Sequence, residues 1–359
     1  MILRTTAIAL LVTGSACHRE ERSPSPSPAD SASPAPSTAG SSLSGLPKGP
    51  RVYVSNEASG NVSVIDATLG VLVATLPVGK RPRGIQRSPD SSRVYVALSG
   101  AVAAPPGSNA PPAPSDPSAH GIGVIDTSRL LVSSRLGVGS DPEQFALSPD
   151  GSKIYVSNED AATASIVDVA SGTIQTTLKV GEEPEGVAAS PDGKWVYVTC
   201  EATGMVEIVD TAAAKVDREL PVGGRPRAAA FLQDSSKAYV TSENGGTVTV
   251  VTLPGHAIAK VLKVEGRPMG VVVAPDGKTA YVTTGRGGTV LAIDTAKDEV
   301  TGTIHVGDRP WGIAITPDGR TLYVANGPSD DVSIVDTVER KETSRVKVGS
   351  KPWGVVYVP

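Results

Sequence analysis

Aromatic side chains are scarce in this chain, at 4% of 359 residues. Cysteine is scarcer still: there are two, which excludes a disulfide framework and a cysteine-based zinc centre. Four scattered histidines give no basis for a histidine-rich metal site. Charged residues make up 19% and the net charge is -4. That is too little charge for a coiled coil and the wrong sign for a general nucleic-acid binder. No apolar run reaches the ~20 residues that a membrane-spanning helix needs. What is abundant is glycine (38) and proline (30), together approaching a fifth of the chain, which points to turns rather than long helices. Hydrophobic residues, at 39%, are enough to bury a core.

The first 47 residues read as an address. Residues 1–16 carry one charge, Arg4, then an apolar stretch from Ala7 to Val12, then Gly14, Ser15 and Ala16. This is the layout of a secretory signal peptide. Gly14-Ser15-Ala16-Cys17 resembles a bacterial lipoprotein lipobox, with Gly14 standing where an aliphatic residue is usual. Lipidation of Cys17 is therefore expected, and export to the bacterial cell envelope with it, on the periplasmic side or at the cell surface. Residues 17–47 are dominated by Ser, Pro and Ala, a composition that cannot bury apolar surface and is expected to be a disordered tether.

Residues 48–359 repeat. Tyr-Val begins at Tyr53, Tyr95, Tyr155, Tyr197, Tyr239, Tyr281 and Tyr323, six intervals of which five are 42 residues and one is 60. Asp66, Asp126, Asp168, Asp210, Asp294 and Asp336 keep the same period, and so do Pro82, Pro142, Pro184, Pro226, Pro268, Pro310 and Pro352. Each unit reads as four short strands. In the unit from 308 to 349 these are an apolar run from Trp311, Leu322 to Ala325, the alternating Asp331 to Val335, and Thr343 to Val348. Four antiparallel strands repeated seven times specify an all-β fold, a seven-bladed β-propeller. The first unit lacks its first strand, and Pro352 to Tyr357 is a first strand with no sequel. The C-terminal strand is therefore expected to complete the first blade and close the ring. An 18-residue excess in the second unit, within 100–119, is a Pro- and Ala-rich loop insertion.

The segments YVSNEASGNVSVID, YVSNEDAATASIVD and YVANGPSDDVSIVD, with SPDGSKIYV, SPDGKWVYV and TPDGRTLYV, resemble the YVTN (YncE-like) family of exported seven-bladed propellers. The resemblance covers the whole repeat region. It implies the fold and leaves function open, because relatives include surface-layer proteins, periplasmic proteins of unknown role and propellers of cofactor-assembly systems.

In such a propeller the loops that join one unit to the next surround the central channel. The residues flanking the marker prolines make a ring there. Arg81, Arg83, Arg225, Arg227, Arg267, Met269, Arg309, Trp311 and Trp353 are the candidate ligand- or partner-binding residues: guanidiniums pair bidentately with carboxylate or phosphate, and indoles stack or anchor. Asp141, Glu143, Glu183 and Glu185 form an acidic sector and are the weak candidates for a hard divalent cation. The structural alternative is that the ring's charges pair with Glu57, Glu159, Glu201 and Glu243, which share one repeat position. The recurring aspartates read as turn formers, and Cys200 as a packing residue. No catalytic constellation and no cofactor is predicted. The expected function is a monomeric, lipid-anchored, non-enzymatic binding or scaffold protein whose channel mouth docks a protein, peptide or surface polymer. The alternatives are an enzyme or accessory subunit of lactonase, lyase or quinone-cofactor dehydrogenase type, and, least favoured by the net charge, a single-stranded nucleic-acid binder.

Overall fold

The computed structural model describes residues 49–100 and 115–359. The expected signal peptide, the acylated Cys17 and the tether fall outside the described residues, as does most of the insertion. Among the described residues no helix is long and apolar enough to cross a membrane.

Twenty-eight strands form seven four-stranded antiparallel sheets, each a blade. Blades 2 to 7 begin with inner strands Pro82–Arg87, Pro142–Leu147, Pro184–Ala189, Pro226–Phe231, Pro268–Val273 and Pro310–Ile315. Blade 1 is made from both ends of the repeat region: Pro352–Val358 is its inner strand, paired with Arg51–Asn56 in the register Val52↔Tyr357, Tyr53↔Val356, Val54↔Val355. The predicted closure is thus the observed one, and no blade of the ring is left incomplete.

Apolar side chains meet between blades. Seven buried clusters each combine residues of two neighbouring blades; one joins Val52, Val54, Ile65 and Val355 of blade 1 to Ala314, Tyr323 and Ala325 of blade 7. A blade's second and third strands are buried on both faces, whereas outer strands such as Thr173–Lys179 are mostly exposed. The repeated tyrosine bolts neighbours together. Tyr239 reaches Asp298, Tyr197 reaches His256 and Tyr323 reaches the Ala67 carbonyl, each in the next blade.

The other markers have local causes. Asp66 Oδ1 accepts the backbone N–H groups of Thr68 and Leu69 at 2.8 and 2.9 Å, and Asp126, Asp210, Asp294 and Asp336 repeat the pattern. They are turn formers, as expected. The asparagine of the Tyr-Val-Ser-Asn segment is buried and staples its own hairpin. Asn56 Nδ2 donates to Asn61 Oδ1 and Ser63 Oγ, and Asn158 and Asn326 do the same in blades 3 and 7. Cys200 is buried, and burial pushes its thiol up to about 12, so it packs rather than reacts.

Candidate functional site

The channel mouth is set by backbone before any side chain is considered. The residue ahead of each marker proline is left-handed: Arg81, Asp141, Glu183, Arg225, Arg267, Arg309 and Lys351 have φ between 40° and 63°. For a non-glycine residue this costs about 1–2 kcal/mol, so something must hold it. In six blades its carbonyl accepts the N–H of the residue that follows the second strand, as in Glu201 N to Glu183 O at 2.9 Å and Glu243 N to Arg225 O at 2.8 Å. In blade 2 the acceptor shifts to Lys80. Just past each proline the inner strand loses register with the second strand. Such a bulge re-aims a side chain, and here it carries the residue after the proline into the mouth.

Sequence alignment of the repeats puts Arg83, Glu143, Glu185, Arg227, Met269, Trp311 and Trp353 at that position, and the mouth divides into two chemistries. Among the described residues the ring carries two ion-pair networks, one from blade 1 to blade 3 and one from blade 4 to blade 6. Arg83 Nε meets Glu57 at 2.9 Å and its Nη1 meets Glu143, while Arg81 contacts Glu57, Asp141 and Glu143 at 3.5–3.7 Å. Arg227 bridges Glu185 at 2.6 Å and Glu201; Arg225 reaches Glu201 at 2.5 Å and Glu243 at 3.5 Å; Arg267 reaches Glu243 at 3.7 Å. The pairing with Glu57, Glu201 and Glu243 is therefore present. Glu159 is the exception, with no ion pair among the described residues.

The electrostatics follow from that arrangement. Burial works to raise the Glu57 carboxyl, but the charges of Arg83 and Arg81 outweigh it and hold it below the usual range. Glu159 is raised by burial and then by the negative charge of Glu185. Glu185 itself is raised, because burial outweighs the pull of Arg227 and the neighbouring charge of Glu201 adds to it.

From blade 6 to blade 1 the ring turns apolar. Met269, Trp311 and Trp353 replace the charges; the two indole centroids lie 6.3 Å apart. Space comes from the second-strand position opposite, where Gly285 and Gly327 stand in place of a glutamate. A Cβ on Gly327 would already touch the Trp311 ring at 3.4–3.6 Å, leaving no room for a longer side chain, and one on Gly285 would meet Met269 tightly at 3.1 Å. Arg309 lies over Trp311 at 5.4 Å and Arg83 over Trp353 at 6.0 Å, both within cation–π reach. Arg309 and Lys351 are exposed and take part in no ion pair among the described residues.

Of the cation candidates, the structure brings Asp141 and Glu143 together, adds Glu159, and leaves Glu183 and Glu185 apart. One carboxylate oxygen from each of the three lies within 4.8 Å of the others. Two of the three already face arginine: Asp141 meets Arg81, and Glu143 meets both Arg81 and Arg83. The described root of the insertion adjoins this corner. His120 Nδ1 accepts the backbone N–H groups of Gly100 and Asp141, each at 3.1 Å, and Ser99 Oγ donates to the Asp141 carboxylate. His256 and His305 lie elsewhere, on a turn and on an outer strand.

Below the mouth the channel narrows at a ring made by Gly84, Gln144, Gly186, Ala228, Gly270, Gly312 and Gly354. A Cβ on Gly186, Gly270 or Gly312 would run into the carbonyl oxygen of Arg227, Trp311 or Trp353 in the next blade. Those inner-strand carbonyls are partly tied off by hydroxyls: Ser55 donates to Arg83 O, Ser157 to Glu185 O, Thr241 to Met269 O and Thr283 to Trp311 O, at 2.5–2.8 Å. On the mouth side of this ring the free space is about 40 Å³. On the other side it widens to about 470 Å³, ending among Arg87, Gln233, Pro275, Pro317 and Tyr357 at the opposite face. Sequence reasoning placed all binding at the charged mouth and missed this chamber. The one signal available was Gln144, the sole long side chain at a position that is otherwise glycine or alanine.

The model of the YNCE-like beta-propeller matches residues 119–319. Among solved structures, hydrazine synthase of Kuenenia stuttgartiensis is 23% identical with a TM-score of 0.65, over 76% of this chain and 88% of that one. A functionally unknown protein of Desulfotomaculum acetoxidans is 15% identical with a TM-score of 0.72, over 86% and 98%. A candidate 6-phosphogluconolactonase of Bacteroides fragilis is 17% identical with a TM-score of 0.69, again over 86% and 98%. No curated protein matches. At these identities the structural likeness establishes the fold alone.

Proposed function

The chain belongs to the YNCE-like β-propeller family, and on that premise we propose that it is a non-enzymatic binding protein of the cell envelope, lipid-anchored through Cys17, which docks a protein or peptide on the apolar sector of its channel mouth. The observation that carries this reading is the division of the mouth. Arg83 and Arg227 are each held by two carboxylates; they fix neighbouring blades to one another and have no charge to spare. Arg309 and Lys351 are left exposed, and the Arg309 guanidinium lies over the half-buried Trp311 ring, an indole and cations together, which is the composition of an interface anchor. The described chain enters at Pro50, whose carbonyl accepts the N–H of Ala67 at the turn face, away from the mouth.

The test is a crosslinking capture from the native envelope, run with the full chain and with an Arg309→Ala, Trp311→Ala, Lys351→Ala variant. The expected result is a discrete partner captured by the native chain and lost by the variant. Equal capture by both would overturn the assignment to the mouth.

A second reading, an enzyme or accessory subunit in the manner of the lactonase-type neighbour, rests on Asp141, Glu143 and Glu159. Clustered carboxylates suit calcium. A calcium ion retained through dialysis, and lost in Glu159→Gln, would favour it over the binding reading.

A further inference from the structure

The 470 Å³ chamber lies on the far side of the glycine ring from the proposed docking mouth, and its walls have a different chemistry. Val187, Val271, Ile313, Ile315 and Val355 supply apolar surface from four blades. No carboxylate lines it, and its one charged residue is Arg87. That guanidinium is committed to its own turn, donating to Ser91 Oγ at 2.9 Å and to the carbonyls of Ser88 and Pro89. Gln86 is likewise spoken for: its Nε2 donates to Phe145 O at 2.7 Å and its Oε1 accepts from Leu147 N at 3.3 Å, which ties blade 2 to blade 3.

Gln144 differs. Its side chain lies across Gly84, lines both the chamber and the small space above it, and makes no hydrogen bond to any described residue. It stands at the narrow end of the chamber with a donor and an acceptor both available. A volume of this size, walls that mix aliphatic side chains with polar backbone, and an unpaired amide at one end are what small-molecule sites combine. A charged ligand would find no free counter-charge there and would leave its own charge unpaired among valines and isoleucines.

We propose that this chamber is a binding site for a small, uncharged amphipathic molecule, with its apolar body on the Val271, Ile313 and Val355 walls and a carbonyl or hydroxyl on the Gln144 amide. The chamber shares Trp353 with the mouth, but the filling positions Ala229 and Val271 do not face the mouth-side space, so failure of this proposal leaves the docking reading standing, and the reverse holds too.

The probe is prodan, a neutral naphthalene ketone, with the anionic naphthalene dye ANS as the comparison arm. Both are titrated into the full chain while tryptophan-to-dye energy transfer is followed, since Trp353 lines the chamber. Saturable 1:1 binding of prodan is expected, with ANS at least tenfold weaker. Ala229 also lines the chamber; Ala229→Trp fills it and is expected to weaken prodan at least tenfold. Gln144→Leu is expected to weaken it about tenfold, the worth of one hydrogen bond. If Ala229→Trp melts below the native chain, Val271→Trp fills the same space from another blade and carries the test. Non-saturable prodan binding, equal binding of ANS, or undiminished binding by a folded filling variant would overturn the proposal.

Discussion

The phenol of Tyr239 donates a 2.6 Å hydrogen bond to Asp298 in the neighbouring blade, and Lys237 Nζ meets the other oxygen of that carboxylate at 2.8 Å. One repeat-position tyrosine therefore closes an interblade triad that no single repeat contains. A hydrogen bond to a charged group contributes about 1.5–3 kcal/mol. Tyr239→Phe should lose that amount in urea unfolding, with Tyr95→Phe as the control, because the Tyr95 hydroxyl has no hydrogen-bond partner among the described residues. Equal effects at the two positions would mean that only ring packing matters.

The ion-pair ring makes a graded prediction. Arg83 is mostly buried between Glu57 and Glu143; Arg83→Met leaves two buried carboxylates only the longer contacts to Arg81 and should cost about 3 kcal/mol. Arg225 is 44% exposed, and its partner Glu201 keeps Arg227. Arg225→Met should cost ~1 kcal/mol or less. Denaturant melts of the two variants side by side decide it, and a reversed order would refute the geometry.

A pH dependence follows from His256. It is buried, accepts or donates at Nδ1 with the Tyr197 hydroxyl at 2.8 Å, and packs edge-on against Trp195. Burial, followed by the charge of Arg218, lowers its pKa from the ordinary 6.5. The folded protein thus takes up this proton less readily than the unfolded chain does. The contribution is fully present above the unfolded pKa and is lost as pH falls through 6.5 toward the folded value. Stability should drop between pH 7 and pH 5, and His256→Asn should flatten that part of the curve. An unchanged slope would assign the acid sensitivity to other groups.

Ring closure gives the fourth prediction. Removing residues 352–359 takes the inner strand from blade 1 together with Trp353 and Val355, and opens the packing between blades 7 and 1. Loss of a single cooperative thermal transition is expected by calorimetry. A truncated chain that melts as the native one does would show that the strand is dispensable.

The blade count and the closing strand were legible because tyrosine, aspartate and proline recur at one period, each for a physical reason that acts within a single unit. The ring positions were legible for the same reason. Which ring residues are consumed was only half legible. Glu57, Glu201 and Glu243 share a repeat position, and the pairing with arginine could be anticipated from it. The exemption of Glu159 depends on contacts between blades, whereas Gly327 and Gly285 stand beside Trp311 and Met269 within one hairpin, at the repeat position of those glutamates. Of the chamber only Gln144, out of place in a row of glycine and alanine, was legible. Its walls are runs of inner-strand residues, which look in sequence like any buried β-strand, and its free volume is a property of how seven of them splay.

The left-handed residue before each proline has a consequence for engineering. What fixes it is a carbonyl, an N–H and a bulge, none of which belongs to its side chain. Arginine, aspartate, glutamate and lysine all occupy the position in this one molecule. Together with the residue beyond the proline, the ring is an addressable array on a frame that does not read its own labels. A library varied at the exposed members, Glu183, Arg309 and Lys351 first, would change what the mouth recognises while leaving the scaffold's folding instructions where they are.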